Sequence, residues 1–591
     1  MNGATNHAAA AANENPSPTT DSASNVAVGG AWTDSAPDSL GHEVVPASAP
    51  TQDGSAPNQP TETVSRDAGS NSPADRTSTG HLPAQGDSSL NAARRVRELR
   101  ALGDGGPIDV LVVGGGITGV GIALDAAARG LRTVLVERHD LAFGTSRWSS
   151  KLVHGGLRYL ASGGVGIAHE SAVERGVLLQ TTAPHLTRPV PQLVPLLPEV
   201  GRKQRALVRA GFVAGDVLRR TAGTSDAALP RSRRVAAAEA LRLAPTVRRN
   251  GLGGGLLAWD GQLVDDARLV VTVARTAAAY GASILTRVEA TSLTDTTAQL
   301  RDTLTGETLT VAARAVINAT GVWADELDPS IALRPSRGTH LVFDAAAFGG
   351  LTAALTVPIP GSTSRFVFAF PAAHGRVYLG LTDEDAPGPV PDEPRPTDAE
   401  IDFLLDTVNT VLREPLRRSD IRGSFAGLRP LLRTDTDSTA DISREHAVLR
   451  NPGAPITVVG GKLTTYRRMA EDAVDAAVAR AGLSAAPCST TRIPLVGAVS
   501  GATRDRIEAS PLLIERYGSH AADVAALAAD PTLAEPVAPG IDVLRAEFAY
   551  SVAHEGALDT ADLLDRRTRL GLVAADRAAA TPAAESALAT S

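Results

Sequence analysis

The chain has 591 residues, more than one hydrophobic core usually organises, so two or three domains are expected. Hydrophobic residues make up 43% but aromatics only 3%, so the cores must be built from Ala, Val and Leu. The net charge of −8 is carried wholly by residues 1–90, while the body is balanced at 55 acidic and 55 basic residues, which argues against non-specific nucleic-acid binding.

Residues 1–92 are rich in Ala, Ser, Thr, Pro, Asp and Asn, with one aromatic, Trp32. Such a segment cannot bury enough apolar surface to offset its ordering entropy, so a disordered acidic tail is expected. It lacks a basic start followed by an apolar core, so it does not read as a secretory signal. No apolar run of about 18 residues occurs, so no span of a bilayer is expected. The single Cys488 excludes an internal disulfide and a Cys-based metal cluster, and no zinc spacing appears, so no metal is expected. These features suit a cytoplasmic protein. Attachment to a membrane face needs only an exposed apolar patch and stays open.

The first motif begins at Ile108, in "IDVLVVGGGITGVGIALDAAARGLRTVLVER". Val110–Val113 reads as a buried strand, Gly114, Gly116 and Gly119 give G-x-G-x-x-G, and Ile117–Arg129 is Ala-rich with helical apolar spacing. Thr133–Val136 is a second strand, and Glu137 ends it 18 residues after the last glycine. The glycines let a pyrophosphate approach the helix N-terminus, where free N–H groups favour anions, and the acid suits a ribose 2′-OH. A carboxylate there disfavours NADP. NAD and FAD both remain open on this motif.

Later elements bear on that choice. "RLVVTVARTAAAYGASILTRVEA" reads as a helix then a strand, with Asp265 and Asp266 near the helix start. Ala315–Asn318 is a strand running into Ala319-Thr320-Gly321. "THLVFD", "RFVFAFP" and "RVYLGLT" alternate like strands of a mostly antiparallel sheet. Ile456–Val459 runs into Gly460-Gly461 and an amphipathic helix. Residues 495–575 read as amphipathic helices. Each late glycine turn alone is an ordinary loop, but three converging turns suit one extended cofactor. A nicotinamide enzyme usually completes its site in one contiguous domain of about 150 residues, so the dispersed turns favour FAD.

The expected fold is therefore α/β, with a Rossmann-like FAD-binding domain from residues 107–200, 255–330 and 420–485. A mostly antiparallel β-sheet substrate domain, from 200–255 and 331–420, is interleaved with it. A C-terminal all-α domain spans 495–575, and the disordered tail spans 1–92.

"TSRWSSKLVHGGLRYL", "LVDDARLV", "INATGVWAD", "GLRPLL" and "GGKLTTYRRMAEDA", with the first glycine motif, together resemble the FAD-dependent, quinone-linked glycerol-3-phosphate dehydrogenases. The resemblance runs from about residue 107 to about 570 and omits the tail. It implies oxidation of sn-glycerol 3-phosphate to dihydroxyacetone phosphate by hydride transfer to FAD. Electrons would pass to a membrane quinone from a protein peripheral on the inner face of the cell membrane; a homodimer is left open. It places Thr145, Ser146, Ser149, Ser150 and Lys151 along the cofactor, and Gly155-Gly156 under the flavin where a Cβ would clash. Gly114, Gly116, Gly119, Glu137, Ala319, Gly321, Gly461 and Thr464 complete the cofactor contacts. Arg158, Tyr159 and Arg429 would hold the substrate, the arginines clamping its phosphate with a planar fork of donors. Arg444 would lie near the substrate oxygens, Lys462 near the flavin ring, and His340 would be the base. His154 would face the flavin edge, and Arg365, Thr382 and Asp383 would line the cavity. The alternative is a flavin oxidase of the same fold, acting on another small substrate or using oxygen. A non-catalytic redox module would lack the cavity residues, and they are present.

Overall fold

The computed structural model of the chain describes residues 86–156, 164–360, 362, 365–433 and 445–590. Most of the expected tail, and Arg158, Tyr159 and Arg444, lie outside the described residues.

The cofactor half is a six-stranded sheet in the order His446–Leu449, Ile456–Gly460, Ala315–Asn318, Val110–Val113, Thr133–Glu137, Ser283–Thr286. All neighbours are parallel except the first pair. Val110–Val113 is central and buried on both faces, which is why it reads as a continuous apolar run. Val110 and Val112 pack against the Ala-rich helices Ile117–Ala128 and Asp266–Ala279. Leu111 and Val113 face a core shared with a small three-stranded sheet.

The second half is a ten-stranded sheet, antiparallel except where Ala354–Pro358 meets Thr187–Pro195. Its strand Ser336–Asp344 pairs with both Arg376–Gly380 and Ile421–Arg429, setting His340 opposite Gly380 on one side and Phe425 on the other. The helices of the C-terminal part continue past the expected boundary at 575 to Ala589.

Other boundaries also differ from expectation. Thr187–Pro195, Gly255–Leu263 and Ile421–Arg429, expected in the cofactor domain, belong to the ten-stranded sheet. The first two pair along their whole length, and strand pairing between distant segments leaves no mark in local periodicity. Residues 86–92, expected in the tail, are part of the body. Leu90 is 5% exposed, Gly86 N–H donates to Ala279 O at 2.8 Å, and Asn91 caps the helix Ala92–Gly103. A buried leucine, a cap and backbone hydrogen bonds of Leu90 with His554 and Gly556 anchor a segment whose composition is otherwise tail-like.

Candidate functional site

A cavity of about 1460 Å³ takes its lining from both sheets. Three strand-to-glycine turns meet there: Gly114 and Gly116 after the first strand, Ala319 to Gly321, and Gly460 to Lys462. Their closeness is steric. Gly114 has φ +112°, and a Cβ on Gly119 would sit 1.8 Å from Gly114 O, so turn and helix can pack only with hydrogen there.

The helix starting at Ile117 has Gly116 as its N-cap, which offers no side chain of its own to cap that end. Ser146 Oγ accepts from Ile117 N–H at 2.9 Å. Glu137 accepts from Gly115 N–H at 2.6 Å and His139 N–H at 2.8 Å. Burial raises its carboxyl above the usual range, against the pull of those two amides. A helix N-terminus open to an anion, a carboxylate for a ribose and a long cleft beyond them fit a dinucleotide of FAD size.

Thr145 Oγ1 donates to Leu428 O at 2.6 Å, tying the turn to the large sheet. Ser149 borders the cavity, but its N–H and hydroxyl donate to Asp266 Oδ2 at 3.0 and 2.7 Å. Lys151 departs from expectation. Its side chain is buried away from the cavity, donating to Arg147 O, Ser149 O and Asp266 Oδ2 at 3.1–3.2 Å. Burial lowers its pKa to about 8, with Asp266 opposing the shift.

Packing within the protein also requires glycine at Gly155 and Gly156. A Cβ on Gly155 would lie 2.1 Å from Arg175 Nη1, and one on Gly156 would lie 2.7 Å from Ala168 Cα. The glycines thus make room for the helix Val165–Val177 and for Arg175, which pairs with Asp260 at 2.7 Å. Gly156 still borders the cavity. His154 is in the lining with its side chain 44% exposed, and its N–H donates to Thr464 Oγ1 at 3.1 Å. Lys462 Nζ donates to Ser171 Oγ at 2.8 Å.

At the large-sheet end His340, Arg429, Arg365, Thr382 and Asp383 share the same lining. His340 is 1% exposed, stacks on Phe425 with centroids 4.7 Å apart, and shares a 2.9 Å hydrogen bond with Ser150 Oγ through Nε2. Burial, then the charges of Lys151 and Arg429, hold its pKa well below the usual value, so it is neutral. Arg429 Nη1 donates to Ser336 Oγ at 3.0 Å and Asp383 Oδ1 at 3.1 Å, and Nη2 donates to Thr382 O at 3.2 Å.

Two family models match the chain: "FAD dependent oxidoreductase" over residues 109–467 and "C-terminal domain of alpha-glycerophosphate oxidase" over residues 488–589. Glycerol-3-phosphate dehydrogenase 1 of Mycobacterium tuberculosis is 62% identical over 495 residues, covering 83% of this chain and 96% of that protein. The chain belongs to the FAD-dependent glycerol-3-phosphate dehydrogenase family. The flavoprotein is also 38% identical over 491 residues to glycerol-3-phosphate dehydrogenase of Mycobacterium leprae, covering 78% of this chain and 81% of that protein. Among solved structures, glycerol-3-phosphate dehydrogenase from Bacillus halodurans complexed with FAD aligns with a TM-score of 0.61 at 27% identity, covering 85% of this chain and 98% of that one. The FAD-bound L-alpha-glycerophosphate oxidase of Mycoplasma pneumoniae shares the fold at TM-score 0.50 and 20% identity, covering 65% and 97%.

The fold thus brings Gly114, Gly116, Glu137, Thr145, Ser146, Ser149, Ser150, Gly156, Ala319, Gly321, His340, Arg429, Gly461, Lys462 and Thr464 of this flavoprotein to one cavity. Gly119, Lys151 and Gly155 are not in its lining and act behind it. The pattern reading missed Asp260 and Arg175, and it missed the helix Arg202–Thr221, whose Leu207, Val208 and Phe212 border the cavity. That helix has a sequence signal, apolar residues at helical spacing among arginines. Asp260 and Arg175 have none, because only the fold makes them neighbours. Among the described residues no group of His, Cys, Asp and Glu side chains could hold a metal ion. No helix among them is long and apolar enough to cross a membrane.

Proposed function

We propose that this flavoprotein oxidises sn-glycerol 3-phosphate at C2 to dihydroxyacetone phosphate and passes the electrons to a membrane quinone. The observation that carries the reading is one cavity that joins three glycine turns to a cationic and neutral-histidine end. When bound, FAD supplies the acceptor for the hydride leaving C2.

The protein's part is binding, orientation and proton handling. Gly114, Gly116, Ser146 and Glu137 hold the pyrophosphate and ribose end. Lys462 and Thr464 border the ring end. Arg429 donates to the substrate phosphate, joined by Arg158, Tyr159 and Arg444 on the family pattern. Neutral His340 takes the hydroxyl proton through Ser150 Oγ, its 2.9 Å neighbour. The burial that keeps His340 neutral also weakens it as a base.

The quinone part rests on the helix Arg202–Thr221. Three of its arginines are held by the protein: Arg205 donates to Val200 O at 2.6 Å, Arg209 to Ser232 Oγ at 2.8 Å and Arg219 to Thr224 O at 2.7 Å. Leu207, Val213 and Val217 face outward, 44–57% exposed, with exposed Arg202, Lys203 and Arg220 near the ends. An apolar outer face flanked by cations suits a headgroup interface, and Leu207 lies at the cavity.

Adding sn-glycerol 3-phosphate to the oxygen-free protein should bleach the flavin absorbance, and a quinone analogue should restore it faster than oxygen does. No bleaching would end the substrate assignment. Faster recovery in oxygen would make the protein an oxidase.

A further inference from the structure

The turn Thr145–Lys151 links the two ends of the cavity. Ser146 Oγ meets the N-terminus of the helix Ile117–Ala128, and Ser150 Oγ meets His340 Nε2. What fixes this turn comes partly from the other end of the chain. Arg147 O accepts from Lys151 Nζ at 3.2 Å and from Arg569 Nη2 at 2.6 Å. Arg569 is 5% exposed and has φ +65°. Its Nη1 donates to Asp565 O at 2.6 Å, and its Nε lies 3.3 Å from Asp265 Oδ2. Asp265 caps the helix Asp266–Ala279, and Asp266 holds Ser149 and Lys151.

Four buried charges, the cations Lys151 and Arg569 and the adjacent carboxylates of Asp265 and Asp266 between them, therefore meet at the turn. We propose that Arg569 is a positioning residue of the flavin site, through which the C-terminal helical domain sets the Thr145–Lys151 turn. Without its guanidinium, two adjacent carboxylates face one ammonium in a buried setting, and Arg147 O loses its shorter hydrogen bond. The turn then moves, and with it Ser146 and Ser150.

Docking of the domain does not hang on this residue. Asp140 accepts from Arg566 and Arg567 at 2.6–2.9 Å, His374 Nε2 is 2.8 Å from Thr568 O, and Arg268 pairs with Glu555 at 2.8 Å. A substitution at Arg569 therefore tests positioning rather than attachment.

The inference rests on the FAD assignment, and its test is arranged to fail separately from it. Full-length Arg569→Ala, Arg569→Lys and Arg516→Ala proteins are compared with the parent. Arg516 pairs with Glu547 at 2.9 Å inside the same domain, so its loss mimics general destabilisation. The readouts are FAD dissociation constant, visible circular dichroism of the bound flavin, and the anaerobic bleaching rate at saturating FAD and sn-glycerol 3-phosphate.

Misplacing a cofactor turn by a fraction of an ångström to an ångström should weaken FAD binding and slow bleaching in Arg569→Ala by about 10- to 100-fold. The flavin dichroism should change with them. Arg569→Lys keeps one donor and should fall between. Arg516→Ala should lower the melting temperature yet leave both flavin quantities within about twofold. If Arg569→Ala fails to fold, Arg569→Lys decides. Parent-like FAD affinity, dichroism and bleaching in whichever Arg569 variant folds would overturn the proposal, and so would equal flavin losses in Arg516→Ala. A parent that binds FAD but does not bleach would refute the substrate assignment, while affinity and dichroism would still judge Arg569.

Discussion

Arg429→Ala removes the guanidinium that joins Ser336, Thr382 O and Asp383 at the substrate end of the cavity. The Arg429 and Asp383 side chains are 19% and 8% exposed, so the pair is largely out of water. Two effects are then superposed. Truncating a buried, hydrogen-bonded charge pair costs about 2–5 kcal/mol because the surviving carboxylate is left short of a partner. A phosphate that had used the same fork loses a comparable interaction, which lowers kcat/KM by about 30- to 5000-fold. A second substitution separates them. Adding Asp383→Asn removes the stranded charge, so the melting temperature should recover most of its loss, since deleting both partners of a buried pair can be nearly neutral. The kcat/KM for sn-glycerol 3-phosphate should stay low, because the phosphate still lacks its donor. Turnover of unphosphorylated glycerol should barely change in either protein. The assay is steady-state dye reduction at measured FAD content, beside thermal unfolding. Recovery of kcat/KM together with stability in the double variant would refute the reasoning and reduce Arg429 to a partner of Asp383.

Three further outcomes are expected. Gly119→Ala should give a colourless, destabilised protein, because the new methyl lies 1.8 Å from Gly114 O; a yellow protein of parental melting temperature would contradict the packing argument. Acid should destabilise the fold from about pH 6.5 downward, in part through two buried histidines. His185, lowered to about 3 by burial and nearby cations, and His340, held well below 6.5, stay neutral when folded and bind protons when unfolded. Their contribution is full above pH ~6.5 and is lost as pH falls, at up to about 1.4 kcal/mol per pH unit for each; His185→Asn should make the melting temperature fall less steeply between pH 6.5 and 4, and an unchanged slope would count against it. A chain starting at Gly86 should match the parent in activity and melting temperature, whereas one starting at Ala93 loses buried Leu90 and the Asn91 cap, together about 2–5 kcal/mol; equal melting temperatures would refute the boundary.

Local elements were legible in the chain because their causes are local. The run Val110–Val113, the glycine spacing after it and the acid at Glu137 each follow from steric rules that act within a few residues. The strand around His340 was legible too, from its apolar residues, although Ser336–Asp344 is buried on both faces. What only tertiary structure decided is partnership. Lys151 sits among cofactor residues in the chain, yet the buried carboxylate of Asp266, 115 positions away, draws its ammonium out of the cavity. Gly155 is small because Arg175 needs the space, and Arg175 is there because Asp260 pairs with it. The carbonyl of Arg147 is held by Arg569, 422 positions later. Such contacts form only when distant segments share a dry interior, where an unpaired charge or donor is too costly to leave alone. No local pattern encodes which of many arginines and aspartates will meet.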